Sequence, residues 1–201
     1  MKIILAGILF VLPQLAQAQV DSVSVVQQTQ IFQKELNHEY KAKATSPLMP
    51  ANLRKFKKHD YFPITVSYAV MANLTFTPDA PFTPMAATGP VVNEYRSFAL
   101  AKFELDGQSC ELTLYQSKSL MNNAEYKDYL FLPFTDKTTG SESYGGGRYL
   151  ELRIPKEGNT ILINFNLAYN PYCAYNTKYS CPLVPQENDL PVAVMAGVRY
   201  K

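Results

Sequence analysis

Metal ligands and cofactor motifs are scarce in this chain of 201 residues, which holds three cysteines, two histidines and no tryptophan. A structural zinc site needs four ligands. Besides Cys110, Cys173 and Cys181 the sequence offers only His38 and His59, both far upstream, so no metal site is expected. A nucleophilic cysteine needs a base partner and a lowered pKa, and no histidine stands near any of the three. The Gly-Lys-Ser/Thr of a phosphate loop is missing too, and no cofactor is assigned. Charge is thin and balanced, 19 basic against 17 acidic residues, which excludes the basic footprint of a nucleic-acid binder. Beyond the first residues there is no long apolar run, hence no candidate membrane span.

The apolar run that does exist is an address. "MKIILAGILFVLPQLAQAQ" places Lys2 before an apolar stretch from Ile3 to Leu12, then the small-residue pattern Ala16-Gln17-Ala18. That is the layout of a secretory signal peptide cut after Ala18; about ten apolar residues are too few to cross a bilayer, which takes about 20. The expectation is an exported protein, periplasmic or extracellular, with no transmembrane segment after cleavage. Three parts follow: a signal peptide at 1–18, an N-terminal helix and linker at 19–60, and a β-rich domain at 61–201 on which 25–60 packs as one globular unit.

Phe32, Leu36 and Tyr40 recur every four residues, which predicts a helix over 25–43 with a narrow apolar stripe, capped by Ser22 or Ser24. Pro47 and Pro50 end it. "RKFKKHD" (54–60) reads as a solvated short helix or turn. From Tyr61 onward the period changes to two: Ile64, Val66, Tyr68 and Val70 alternate. Four prolines between 78 and 90 leave only short extended pieces. Asp106-Gly107 is a two-residue hairpin turn, with Cys110, Leu112 and Leu114 on one face of the return strand. Further strands are predicted at 129–134, 148–154, 160–166 and 190–196, the middle two joined by "KEGN" as a hairpin. Strands without alternating helices predict a mainly β domain, an antiparallel sandwich or a partly open barrel, with the N-terminal helix outside.

Three blocks, "LFLPFTDKTTGSESYGGGRYLEL", "NFNLAYNPYCAY" and "CPLVPQENDLPVAVMAG", resemble the domain of unknown function 1684 family in order and spacing, as does "YFP" at 61–63. The resemblance spans roughly 32–197. It implies no established activity. Where the family has Asp-Phe-Asn this chain has Asn164-Phe165-Asn166, and where the family has Glu after Ala-Gly this chain has Val198; any family chemistry resting on those carboxylates would be lost here.

Two stretches carry the candidate site. In "SESYGGGRYLEL" the three glycines admit backbone shapes closed to other residues. Their N–H groups, with Tyr144, Gly146 and Arg148, would cradle an anion. The structural reading is a bulge or tight crossing in which Arg148 pairs a carboxylate such as Glu187. In "NFNLAYNPYCAYNTKYSCPLVPQEND", Asn164 and Asn166 point to one side. Asn164, Asn166, Tyr169 and Tyr172, with Asn170 and Glu187, would line a pocket for a small polar ligand, or the amides would staple a long loop. Cys173 and Cys181 are expected to bridge, closing a loop worth roughly 2.5 kcal/mol, while Cys110 reads as a core residue. The leading functional reading is a non-catalytic envelope protein that binds a small polar ligand or another envelope protein. The alternatives are a hydrolase using carboxylates among Asp136, Glu142, Glu187 and Asp189, a flavin-binding split barrel, and a module that binds only a protein partner.

Overall fold

The computed structural model describes residues 20–200; the leader read at 1–18 lies outside them. Helix α1 (Ser22–Lys41) leads to a single turn, α2 (Pro50–Leu53). The strands are β1 (Ala69–Phe76), β2 (Thr83–Pro84), β3 (Glu94–Leu105), β4 (Gln108–Ser117), β5 (Tyr129–Phe134), β6 (Arg148–Arg153) and β7 (Thr160–Asn164). They form one antiparallel sheet in the order β6-β5-β4-β3-β1-β7, with β2 added on β3. The sheet curls into a half-barrel with one N-terminal helix against it, the open-barrel form of the expected mainly β class.

Local chemistry explains most of the strand order. Asp106 and Gly107 take φ of 50° and 73°, so the chain reverses in two residues and sets Leu105 opposite Gln108. Cys110, Leu112 and Leu114 then face the core with Ala99, Ala101, Leu130, Leu132 and Ile163. The opposite face is covered as well: Tyr115, Phe131 and Tyr149 pack under the loop that carries Cys181.

The predicted hairpin between 148–154 and 160–166 is not formed. β6 and β7 are the two edges of the sheet, and β7 pairs β1 instead, with Ala69 opposite Asn164. The edges meet just beyond β7, where Tyr149 and Tyr169 exchange backbone bonds of 2.9 and 3.1 Å. The chain leaves β7 at Asn164 because that side chain accepts the Asn166 N–H and caps a 3-10 turn, Phe165–Leu167.

Leu190–Ala196 is not a strand either, although its alternation is real. Leu190, Val192, Val194 and Ala196 are all buried in the core, but the backbone finds partners other than a ladder. Leu190 N–H donates to the Thr135 carbonyl at 2.8 Å and Val194 N–H to Asp136 Oδ1 at 3.1 Å. Asn188 performs a similar substitution. β4 and β5 share one register pair, Tyr115 with Phe131, and Pro133 has no N–H to give. The buried Asn188 amide accepts from Thr113 N–H at 2.8 Å and donates to the carbonyls of Thr113 (3.0 Å) and Pro133 (2.7 Å).

α1 is capped by Asp21, not by Ser22 or Ser24; its carboxylate accepts the Val23 N–H at 3.1 Å. The inward stripe is Val25, Thr29, Leu36 and Tyr40. Its end packs with Leu48 and Val198 into a second small core. The basic stretch 54–60 has no regular structure, yet it delivers His59, 5 % exposed, into this core. The imidazole lies among Tyr40, Phe56, Tyr61 and Tyr175. Asn170 Nδ2 donates to the Tyr175 hydroxyl at 2.9 Å, and that hydroxyl lies 3.4 Å from His59 Nδ1. His59 Nε2 has no partner among the described residues.

Two predictions follow from this packing. Asn188→Ala strands three buried backbone groups, so chemical denaturation should show a loss of about 3 kcal/mol, and Tm should fall by about 10 °C. Burial depresses His59 to about 4 from an ordinary 6.5. The unfolded chain therefore binds the proton first. The neutral ring's contribution is complete above pH 6.5, shrinks as pH falls and is gone below about 4, a change of about 3 kcal/mol across the window. Urea midpoints measured from pH 7 to 4 should lose this component in His59→Leu; an unchanged slope would contradict it.

Candidate functional site

The glycine turn positions Arg148 for the interior. Gly147 has φ of 82°, and a Cβ there would meet the Phe134 carbonyl at 2.7 Å and Val184 Cγ2 at 2.5 Å. Only glycine fits, and the following residue is driven into the core. Arg148 is 0 % exposed. Its Nη2 donates to Asp136 Oδ2 at 2.8 Å and to the Val194 carbonyl at 2.9 Å, and its Nη1 donates to the Ala196 carbonyl. Phe62 and Phe134 flank the guanidinium, at 5.7 and 5.2 Å from their ring centroids. Asp136 Oδ1 accepts from Thr138 N–H (2.8 Å), Thr138 Oγ1 (2.7 Å) and Val194 N–H. Burial pulls the Arg148 pKa down and Asp136 opposes that pull. The expected partner Glu187 is elsewhere: exposed, it accepts from Tyr115 at 2.7 Å. Both terminal nitrogens of Arg148 are thus engaged inside the protein, while its buried Nε has no partner among the described residues. Gly146 is exposed, and Tyr144 is half-buried with its ring 5.1 Å from that of Tyr200.

The asparagines staple. Asn166, 1 % exposed, accepts the Thr65 N–H at 3.0 Å and returns Nδ2 to the Thr65 carbonyl at 2.9 Å. Asn164 Nδ2 reaches Thr29 Oγ1 on α1 at 3.3 Å, and its Oδ1 accepts the Asn166 amide. Asn170 holds Tyr175. These amides face a second layer, buried between the sheet end, α1 and residues 63–65.

The expected Cys173–Cys181 bridge is absent; all three cysteines are free. The two adjoin, since Cys173 N–H donates to Cys181 Sγ at 3.3 Å. The loop is pinned by backbone contacts instead: Cys181 N–H donates to Thr88 Oγ1 at 3.0 Å, and Thr88 N–H to the Cys181 carbonyl at 2.9 Å. Burial pushes the Cys181 thiol up to about 11, away from thiolate chemistry.

Of the residues the sequence points to, Tyr169 and Tyr172 do line a cavity. It measures about 480 Å³ and lies between α1, β6 and the 167–172 loop, within the usual size for small-molecule sites. Phe32, Tyr149, Tyr169 and Tyr172 supply aromatic wall, and Glu39 and Glu151 supply charge. Tyr169 donates to Glu151 Oε1 at 2.8 Å, and Tyr172 donates to Glu39 Oε1. Burial, and then these carboxylates, hold both phenols well above the ordinary tyrosine pKa, so they remain donors. A wider groove of about 1200 Å³ runs along α1, shares Glu39 and Glu151, and has Lys57 and Lys58 on its wall. Glu187 lines a separate cavity of about 560 Å³ beside Tyr95 and Tyr115.

Sequence reasoning missed Glu39 and Glu151. One sits beside the helical stripe and the other on an alternating strand, and each reads as an ordinary solvated charge. The four carboxylates it did consider are divided among other partners: Asp136 with Arg148, Glu142 with Arg199 at 3.5 Å, Asp189 with Thr135 at 2.7 Å, and Glu187 with Tyr115. Among the described residues no three His, Cys, Asp or Glu side chains group to hold a metal, and no helix is long and apolar enough to cross a membrane.

A half-barrel plugged by its own irregular C-terminal segment through a buried arginine is the architecture in hand. The chain belongs to the family of proteins of unknown function DUF1684, whose model matches residues 54–199. It is similar to the solution NMR structure of an uncharacterised protein of Haloarcula marismortui, with 35 % identity and a TM-score of 0.71 over 89 % of this chain and 96 % of that one. A search of curated proteins finds no match.

Arg148→Met and Asp136→Asn should each cost about 3–5 kcal/mol in urea unfolding, because either change leaves a buried partner uncompensated. The double variant should cost less than the sum. A loss below about 1 kcal/mol in either single variant would contradict the structural role.

Proposed function

We propose that this protein is exported and acts as a non-catalytic binding protein for a small polar ligand, held in the cavity between α1 and β6. The observation that carries the reading is the pair of carboxylates, each held by a phenol, in one aromatic-walled cavity. Binding sites typically combine apolar walls with a few placed polar groups. The asparagine staples and the Tyr149–Tyr169 bridge support the walls, so the site is largely formed before a ligand arrives and loses little to ordering on binding. Arg148 and the glycines belong to the scaffold in this reading, and Tyr169 and Tyr172 to the site.

The leader at 1–18 supports export to the periplasm or the extracellular space. Mass spectrometry of the native exported protein tests export. The expected species starts at Gln19. An intact N-terminus in the cytosolic fraction would contradict export.

Ligand binding is tested by thermal shift against a library of small acids, amines, sugars and nucleotides. A ligand at 100 times its Kd should stabilise by about 2.7 kcal/mol, raising Tm by about 5–10 °C. The shift should be lost in Glu151→Gln. No shift with any compound, or one unchanged by that substitution, would overturn the site.

A further inference from the structure

The charge balance of the cavity narrows the ligand class. Resting on the reading above that this cavity is the binding site, we infer that its ligand is a small organic ammonium ion, and that the two carboxylates suit a diamine better than a monoamine.

Four observations carry this. First, neither Glu39 nor Glu151 forms an ion pair among the described residues, whereas Glu94, Glu111, Asp128 and Asp136 each have a basic partner within 3.3 Å. Second, the phenols of Tyr172 and Tyr169 occupy only Oε1 of each carboxylate. Oε2 of each accepts no side-chain or backbone hydrogen bond among the described residues, so an acceptor remains on the α1 wall and another on the β6 wall. Third, the basic residue that lines the cavity, Arg153, is already paired. Arg153 Nη1 donates to Asp128 Oδ1 and to the Glu125 carbonyl, both at 2.8 Å, and its guanidinium lies over Tyr126 and Tyr129. Fourth, Phe32, Tyr149, Tyr169 and Tyr172 line the cavity beside Leu36, Leu167 and Pro171; ring faces attract ammonium groups, and the apolar wall accepts the stem between them.

An anionic ligand would meet two carboxylates and, among the described lining residues, one cation already paired with Asp128. A neutral polyol would leave both charges uncompensated. A bare metal ion would find two carboxylates rather than a full set of ligands, since such ions take six or more oxygens. An ammonium group donates to a free Oε2 and needs no reorganisation of either phenol, because the tyrosines already donate from the other side.

Isothermal calorimetry on the full exported chain tests this, with putrescine as the diamine, 1,4-butanediol as its neutral counterpart and succinate as its anionic one. The expected result is putrescine binding at least tenfold tighter than either counterpart. It should weaken at least tenfold in Glu39→Gln and in Glu151→Gln, with Tm of both variants within about 2 °C of the parent, as exposed or half-exposed substitutions allow. Butanediol or succinate binding as tightly as putrescine, with loss in the same variants, overturns the ammonium assignment and leaves the cavity as the site. Putrescine binding that neither substitution weakens places the amine elsewhere and overturns the site itself. No heat with any of the three overturns the ammonium assignment, and the library screen then decides the cavity alone. Tyr169→Phe is a second check: freed of its phenol, Glu151 should still bind putrescine, but with altered affinity.

Discussion

A guanidinium with no access to water is the constraint on which the rest of this molecule depends. Arg148 must balance its charge inside the protein, and its two terminal nitrogens do so through Asp136 and the carbonyls of Val194 and Ala196, leaving only the buried Nε without a partner among the described residues. Burying one charge without the other would be prohibitive. The glycine turn, the Asp136–Thr138 turn and the C-terminal segment must therefore arrive together. The pair is better understood as a device that selects one arrangement than as a source of net stability, since buried ion pairs often only break even against apolar packing.

That arrangement frees the C-terminal segment from the sheet. With its carbonyls claimed by a side chain, Leu190–Ala196 enters the half-barrel as a plug and supplies four of the buried core residues. Asn188 meets the same problem on the other side, joining β4 to the Pro133 end of β5 where a ladder is not available. The open barrel is completed by side chains and loops instead of an eighth strand. The cavity beside β6 exists because the Tyr149–Tyr169 bridge brings the edges together there while α1 stands over the gap.

The sequence made local features legible and long-range ones obscure. The Asp106-Gly107 turn and the 129–134 strand are visible because turn chemistry and period two act over a few residues. The 160–166 segment was readable as extended, but not its partner: a short loop after β6 suggested a hairpin, while β7 pairs β1, about 90 residues upstream (Ala69 with Asn164). Alternation at 190–196 reports burial on one side and says nothing about who bonds the backbone. An arginine after three glycines is conspicuous, but the role of Arg148 turns on Asp136 and the two carbonyls, which composition cannot place. Glu39 and Glu151 were invisible for the opposite reason, since a glutamate on a helix or an alternating strand is ordinary until the two elements face each other.

Native-state hydrogen exchange at the Val194 and Val198 amides is the most direct measurement of the central claim. These groups donate to Asp136 Oδ1 and to the Ala168 carbonyl, in a segment with no strand ladder. If the buried pair locks the plug into the cooperative core, both amides should exchange only by global unfolding, with the same free energy and denaturant dependence as Leu132 and Leu150. Exchange by a local opening several kcal/mol below the global value would show that the C-terminal segment is a loosely held tail, and would contradict the account.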